Sequence, residues 1–281
     1  MRRMSKNMTE QLRDNRPIGV FDSGLGGLTA VTALTEALPD ERIVYFGDTA
    51  RTPYGSKAVE TIRRFSLQIA EFLLKHDVKL IVIACNTISA TALELLRERF
   101  PATPFIGIIE PAARFAAAEL GAERRLGIIA TKVTIESHQY EEMLRRFGGK
   151  CSVFSKACPL FVPAIEEGVA DTPLMDEIVR YYLDDFVREN RLDTLLLGCT
   201  HYPLVVKSIQ RLYPGLEIID PSQIVAREVE QVLDEQGLRG CGDVSSRFYA
   251  SDLSDSFLRM ILSIMGSGAL VRQKNFEEEP D

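Results

Sequence analysis

The feature that most constrains the fold of this chain is an internal duplication. The segments LIVIACNT and TLLLGCTH, at residues 80–87 and 194–201, are each a short apolar run that leads into a cysteine. Two further pairs of similar segments keep the same order at offsets of 108 and 111 residues, namely IGVFD with LGIIA (from Ile18 and Leu126) and FIGIIEP with LEIIDP (from Phe105 and Leu216). The sequence therefore predicts two similar α/β units with one thiol in each.

Short apolar runs alternate with amphipathic stretches, which is typical of parallel sheets joined by crossover helices. The predicted strands are 18–21, 43–46, 80–84, 105–109, 126–130, 151–155, 194–198, 216–219 and a weaker one at 247–250. The predicted helices are 27–37, 58–75, 89–99, 112–119, 135–147, 174–190, 203–212, 223–235 and 253–264.

These elements predict an α/β fold of two similar lobes, each an open parallel sheet flanked by helices, with the active site in the cleft between the lobes. We assign residues 17–104 plus 215–266 to the first lobe and 105–214 to the second. No Gly/Ser-rich linker separates them, which favours a tightly packed body. Residues 1–16 and 267–281, which end in the acidic tail EEEPD, are predicted to be loose termini.

Composition excludes several classes of protein. A net charge of −7 argues against a nucleic-acid or anionic-membrane partner. There is neither an apolar run of bilayer length nor a signal peptide, which makes the cytoplasm the expected location. The five cysteines are odd in number, widely spaced and contain no C-x-x-C pair, so they predict reduced thiols rather than disulfides or a zinc site.

The unusual residues follow the predicted strands, at the edge where ligands bind in open parallel sheets. Cys85 and Cys199 each precede a helix start, where a thiolate is stabilised and its pKa is lowered. Asp22 and His201 are the candidate partners for these two thiols. Each also has a structural interpretation: a buried small residue for the thiols, a turn or cap for Asp22 and a packed imidazole for His201. The other three cysteines, Cys151, Cys158 and Cys241, have no such context.

The glycine-rich segment from Gly24 to Gly27 follows the first strand directly. It lacks the third glycine of a dinucleotide-binding fingerprint, because Thr29 stands there, and no Walker lysine follows. Its backbone N–H groups are nevertheless suited to a small anion such as a carboxylate.

Five motifs together resemble those of bacterial glutamate racemases, within the wider family of cofactor-independent amino-acid racemases. They are DSGLGGL at 22–28, GDTARTPYG at 47–55, ACNT at 84–87, CPLFVPAIEE at 158–167 and GCTHYPL at 198–204. The match runs in order from about residue 17 to about residue 252. Aspartate racemases of this wider family usually carry a glutamate at the place of His201, so the last motif indicates glutamate as the substrate.

The resemblance implies a two-base mechanism without pyridoxal phosphate, metal or other cofactor. Cys85, assisted by Asp22, would exchange the α-proton on the D-glutamate face, and Cys199, assisted by His201, on the L-glutamate face. Asp48 and Glu167 match further acidic residues of the site. The residues implied to bind glutamate are Asp22, Ser23, Tyr54, Gly55, Asn86, Thr87, Thr131, Thr200 and His201. The resemblance also implies a homodimer whose product feeds peptidoglycan synthesis.

Two other classes of function remain open on the residues alone. A cysteine hydrolase could use Cys199 with His201 but would leave the duplicated Cys85 without a role. A non-catalytic protein that binds small anions between two lobes would leave both thiols unexplained.

Overall fold

The computed structural model describes residues 14–242, 245–265 and 270–276. Within these residues, ten strands form two sheets, and every strand pairing is parallel. Strands such as IGVFD, LIVI and TLLLG are buried along their whole length. Such continuous apolar runs are typical of parallel sheets whose two faces are both covered by helices.

The first sheet contains the strands β1 (Ile18–Asp22), β2 (Ile43–Gly47), β3 (Leu80–Ile83), β4 (Phe105–Gly107), β9 (Arg247–Ala250) and β10 (Leu270–Gln273). Their order across the sheet is β10-β9-β2-β1-β3-β4. The second sheet contains β5 (Arg125–Ala130), β6 (Ser152–Ala157), β7 (Thr194–Gly198) and β8 (Glu217–Ile219), in the order β6-β5-β7-β8. The predicted α/β fold of two parallel sheets is confirmed.

The α-helices within the described residues follow the predicted pattern closely. They are Leu28–Ala37, Val59–Leu74, Asn86–Arg99, Ile109–Glu119, Lys132–Glu136, Gln139–Arg146, Phe161–Glu166, Pro173–Asn190, Val206–Leu212, Pro221–Gln236 and Asp255–Met265. Short 3₁₀ turns cover Thr49–Arg51, Tyr54–Ser56 and Tyr202–Val205. None of the described helices is long and apolar enough to cross a membrane.

Three differences from the predicted elements have local causes. The helix predicted at 135–147 is broken at His138, which adopts a left-handed backbone conformation with φ of 54°. The helix Phe161–Glu166 was not predicted; it contains Pro163, which is tolerated because it lies in the first turn. Helix Asn86–Arg99 begins three residues earlier than predicted, directly after Cys85.

The sheets divide the strands differently from the predicted lobes of 17–104 plus 215–266 and 105–214. Strand β4 pairs with β3 in the first sheet, and β8 pairs with β7 in the second. A short β-α-β crossover returns the protein backbone to the sheet that it left, so each change of sheet comes one strand later than predicted. The two segments that change sheets are helices Ile109–Glu119 and Pro221–Gln236, which pack against each other.

The termini are more ordered than predicted wherever the structure describes them. Asp14 donates its backbone N–H to the carbonyl of Arg239, although residues 1–16 were predicted to be loose. Strand β10, inside the predicted loose segment 267–281, pairs with β9. The rest of these two predictions, on residues 1–13, 267–269 and the acidic tail 277–281, lies outside the described residues.

Candidate active site

The two duplicated cysteines reach one cavity between the sheets. Cys85 follows β3 and Cys199 follows β7, so the first sheet supplies one thiol and the second sheet the other. The cavity is small, about 20 Å³ in the volume open to the centres of water molecules. Its lining consists of Ser23, Thr52, Pro53, Tyr54, Gly55, Cys85, Asn86, Thr87, Thr131, Val162, Cys199, Thr200 and His201.

Cys85 is a buried thiol that donates a hydrogen bond to Ser23 Oγ, with Sγ and Oγ 3.4 Å apart. Burial, with the nearby negative charge of Asp22, raises its pKa to about 12. The Ser23 hydroxyl and the backbone N–H of Ile88, in the first turn of the following helix, act in the opposite direction. The predicted lowering of this pKa by the helix start is therefore present but is outweighed by desolvation.

Cys199 is equally buried, and its Sγ lies 4.0 Å from Nδ1 of His201. Burial raises the pKa of this thiol well above its ordinary value, and negative charges on Cys85, Asp22 and Glu166 raise it further. The backbone N–H of His201 opposes these effects. Both thiols are consequently neutral near pH 7 in this structure, and a charge on one disfavours a charge on the other.

Asp22, at the end of β1, connects the two lobes. Its carboxylate accepts hydrogen bonds from the Gly24 backbone N–H at 3.1 Å and from the Thr200 hydroxyl at 3.2 Å. The side chain is fully buried, which raises its pKa, while hydrogen bonds from Gly24, Gly27 and Thr200 lower it, as a positive charge on His201 would. Asp22 was predicted as the partner of Cys85, and the structure also places it against the Cys199 segment.

The glycine-rich loop after β1 holds this internal carboxylate, since Gly24 and Gly27 both direct their N–H groups at Asp22. Gly26 lies directly against the Cys-Thr-His segment. A Cβ atom at Gly26 would come within 2.4 Å of both His201 Nδ1 and Thr200 Oγ1. The loop is therefore glycine-rich so that the two lobes can approach closely, and the anion that it binds in this structure belongs to the protein itself.

His201 is held from its outer side by a carboxylate. Its Nε2 lies 3.1 Å from Oε1 of Glu166, and the imidazole is 3% exposed. Glu167, the residue named by the motif comparison, is exposed at the end of the same helix. Helical geometry explains the difference, because Glu166 lies four residues after Val162, which lines the cavity, and thus on the same helix face.

Asp48 is fully buried but does not line the cavity. Its carboxylate accepts hydrogen bonds from the Tyr54 hydroxyl, from Arg51 Nε and from the Ser251 hydroxyl. Tyr54 itself is in the cavity wall. Asp48 therefore reaches the cavity through its hydrogen bond with Tyr54.

Polar groups suited to a carboxylate lie around the rest of the cavity. Thr87 Oγ1 is 2.9 Å from Thr131 Oγ1, and Gly55 packs on Thr131 so closely that a Cβ there would be 2.5 Å from the Thr131 Cβ. Asn86 accepts a hydrogen bond from the Tyr140 hydroxyl at 2.6 Å. Its buried Nδ2 has no partner among the described residues, and is a donor available to a bound oxygen.

The sequence pattern of the Asp/Glu/Hydantoin racemase family matches residues 23–229 of this protein. The chain belongs to this family. The family resemblance predicted from the five motifs is confirmed, and the enzyme class is that of an isomerase.

Known racemases are similar to this chain over nearly its whole length. The glutamate racemase of Aquifex aeolicus is 44% identical over 249 residues, which cover 89% of this chain and 94% of that protein. The crystal structure of the Francisella tularensis glutamate racemase in complex with D-glutamate has 36% identity and a TM-score of 0.86, covering 95% of this chain and all of that one. A glutamate racemase isoform of Bacillus anthracis has 34% identity and a TM-score of 0.88 at the same coverages.

Several residues of the racemase cavity were missed by sequence reasoning. Thr52, Pro53 and Val162 line the cavity, and Glu166 and Tyr140 position residues that do. The first two stand directly before Tyr54 in the GDTARTPYG motif, and that adjacency could have identified them. Among the described residues, no group of three or more His, Cys, Asp or Glu side chains is arranged to hold a metal ion.

Proposed function

We propose that this protein interconverts L- and D-glutamate by moving a proton at the α-carbon between two cysteines, Cys85 and Cys199. The observation that carries the proposal is the arrival of both duplicated thiols in one cavity from equivalent ends of two sheets. Inversion requires a proton to leave one face of a carbon and return on the other, which two bases on opposite lobes can accomplish.

The reaction balances within the site. One thiolate forms an S–H bond as the Cα–H bond of glutamate breaks, and the electron pair left on carbon delocalises into the α-carboxylate. The thiol on the other face then gives its proton to the α-carbon and becomes the thiolate. Cys85 serves the D-glutamate face and Cys199 the L-glutamate face. The α-proton passes only between carbon and the two thiols. The proton that ionises Cys199 at the start is held by His201, and its return to the thiol pair after turnover restores the starting state.

His201 is oriented to assist Cys199. Because Glu166 is a hydrogen-bond acceptor at Nε2, the neutral imidazole carries its proton on Nε2 and leaves the Nδ1 lone pair toward the Cys199 thiol. Nδ1 can then take the thiol proton and generate the thiolate that attacks the L-face. Asp22 supports the same step by stabilising positive charge on His201.

Substrate charge and water exclusion lower the barrier further. Both thiols are neutral in this structure, and the ammonium group of a bound amino acid would stabilise a thiolate beside it. Asn86, Thr87 and Thr131 are placed to donate to a carboxylate on which negative charge develops. The cavity has room for about one water, so we expect the lobes to separate to admit glutamate and to exclude water on closing.

We also infer that the D-glutamate is supplied to peptidoglycan synthesis and that the enzyme is a homodimer. Both inferences rest on the likeness to glutamate racemases. Light scattering on the purified protein measures the second: a molar mass of a single protomer would contradict it.

The proposed function is tested by solvent isotope exchange without added cofactor. In deuterated water, we expect optical rotation to decay from either enantiomer of glutamate while deuterium appears at the α-carbon, measured by polarimetry and NMR. L-Aspartate should retain its rotation under the same conditions. Decay of rotation without label at the α-carbon would contradict proton exchange through thiols, and no decay at all would contradict the racemase itself.

The neighbouring glutamates offer a matched pair of variants. We expect Glu166→Gln to lower kcat/KM from L-glutamate by about 10-fold, because the amide can present N–H to His201 and disturb its tautomer. Glu167→Gln removes the same charge one residue further on, at an exposed position, and should stay within about 2-fold of the unmodified enzyme. Equal effects, or a larger effect at Glu167, would show that Glu166 does not position His201.

A further inference from the structure

Strands β9 and β10 lie in the same sheet as β2, which leads into the cavity-lining residues 52–55, although both strands are beyond the region that matches the family, residues 23–229. Strand β9 pairs with β2 so that Ala250 lies opposite Gly47. The next residue, Ser251, donates its backbone N–H to the carbonyl of Gly47 at 3.1 Å. Strand β9 thus places Ser251 at the point where β2 ends and the loop toward the cavity begins.

The Ser251 hydroxyl forms two hydrogen bonds. It donates to Oδ1 of Asp48 at 2.7 Å and accepts the backbone N–H of Ala50 at 2.8 Å. The residue is 4% exposed, so water does not replace these bonds when they are lost. Because the Ala50 N–H directs the hydroxyl proton toward Asp48, Ser251 fixes the orientation of that carboxylate.

Asp48 transmits this orientation to the cavity wall. Its Oδ2 accepts hydrogen bonds from the Tyr54 hydroxyl and from Arg51 Nε. The Arg51 guanidinium lies 4.0 Å from the ring centroid of Phe65 and 5.0 Å from that of Phe276, so a second residue beyond the family match holds the same ion pair. Tyr54 and the adjoining Gly55 line the cavity opposite Thr131.

We propose that Ser251 is a positioning residue for substrate binding, which acts through Asp48 to hold Tyr54 and its loop in the wall of the active site. This inference rests on the proposed function. The segment that follows the family match is then part of the substrate site, because the loop 52–55 takes its shape from a carboxylate that Ser251 holds.

The test uses the purified protein and glutamate. We expect Ser251→Ala to raise KM for glutamate about 10-fold while kcat changes less than about 3-fold, since the loop loses its alignment but the thiols keep theirs. Thr49→Ala is the matched control. The Thr49 hydroxyl accepts the Asp252 N–H at 2.9 Å and donates to the Asp252 carbonyl, so it joins the same two segments, but within the described residues it forms no hydrogen bond with the Asp48 or Tyr54 side chain. Its KM should stay within about 2-fold of the unmodified enzyme.

A double-mutant cycle separates positioning from general stability. In a Tyr54→Phe background the hydrogen bond from the Tyr54 hydroxyl to Asp48 is already absent, so adding Ser251→Ala should raise KM by less than about 2-fold. Thermal unfolding checks that every variant folds. An unchanged KM in Ser251→Ala, an equal rise in Thr49→Ala, or the same rise with and without the Tyr54 hydroxyl would each overturn the inference. Absence of glutamate turnover by the unmodified protein would instead overturn the proposed function and, with it, this role.

Discussion

Cys85→Ala and Cys199→Ala are each expected to lower the rate of glutamate racemisation by at least about 10³-fold. Each variant keeps one base, which can act on only one face of the α-carbon, so inversion cannot be completed. Removal of a group that transfers a proton in the transition state typically costs about 10²–10⁴-fold, and a second group on the other face cannot substitute for it. Circular dichroism of glutamate during turnover measures both directions of the reaction.

The control for these variants is Cys241→Ala, which removes an exposed thiol outside the cavity and should retain full activity. The same variants separate the alternative functions. A hydrolase that uses Cys199 with His201 would keep its hydrolytic activity in Cys85→Ala. A protein that only binds an amino acid would keep that binding in both cysteine variants. Near-normal racemisation by either cysteine variant would contradict the two-base mechanism.

Lys79→Met is expected to lower the free energy of unfolding by about 3–5 kcal/mol, because it leaves a buried carboxylate without its partner cation. The Lys79 ammonium lies 2.5 Å from Oε2 of Glu41, and it also donates to the carbonyls of Asp14 and Leu238 at 2.9 and 2.6 Å. Its side chain is fully buried. The substitution therefore removes a cation that joins the residues before β1 to the segment after helix Pro221–Gln236. Urea unfolding followed by circular dichroism measures the change.

Two variants check the cause of this loss. Arg188→Ala breaks the exposed ion pair with Asp185, whose side chains are 71% and 72% exposed, and should cost less than about 1 kcal/mol. Lys79→Met combined with Glu41→Gln removes the unpaired carboxylate charge. The double variant should recover part of the stability lost in Lys79→Met, though not all, because two backbone carbonyls stay unpaired. A loss in Lys79→Met as small as that in Arg188→Ala would contradict a buried ion pair at this place.

The proposed mechanism depends on opposing influences on the two thiols. Burial favours the neutral thiol, whereas backbone N–H groups at Ile88 and His201 favour the thiolate. The balance in this structure favours protonation, so the ionised form must be generated when the charged substrate binds. Such a thiolate is little stabilised by water and is correspondingly reactive toward the bound α-proton.

The fold and the two thiols could be predicted from sequence because their signals are local. Apolar runs such as LIVIA and TLLLG form buried strands wherever they fall, and a residue that follows a parallel strand lies at the carboxyl edge of its sheet. The repeat of this pattern around Cys85 and Cys199 was sufficient to predict one thiol in each lobe. The duplicated segments likewise predicted two parallel sheets, and those sheets are present.

The contacts that hold His201 and Asp48 in place, and the assignment of two strands to their sheets, could not be predicted, because they form between distant parts of the protein. Helix geometry turned Glu166 rather than Glu167 toward His201, and strand pairing put β4 and β8 in the opposite sheets from those assigned. Ser251 meets Asp48 across 203 residues of sequence. The pKa of each thiol also depends on tertiary contacts, since desolvation comes from everything packed around the sulfur and not from the helix that follows it.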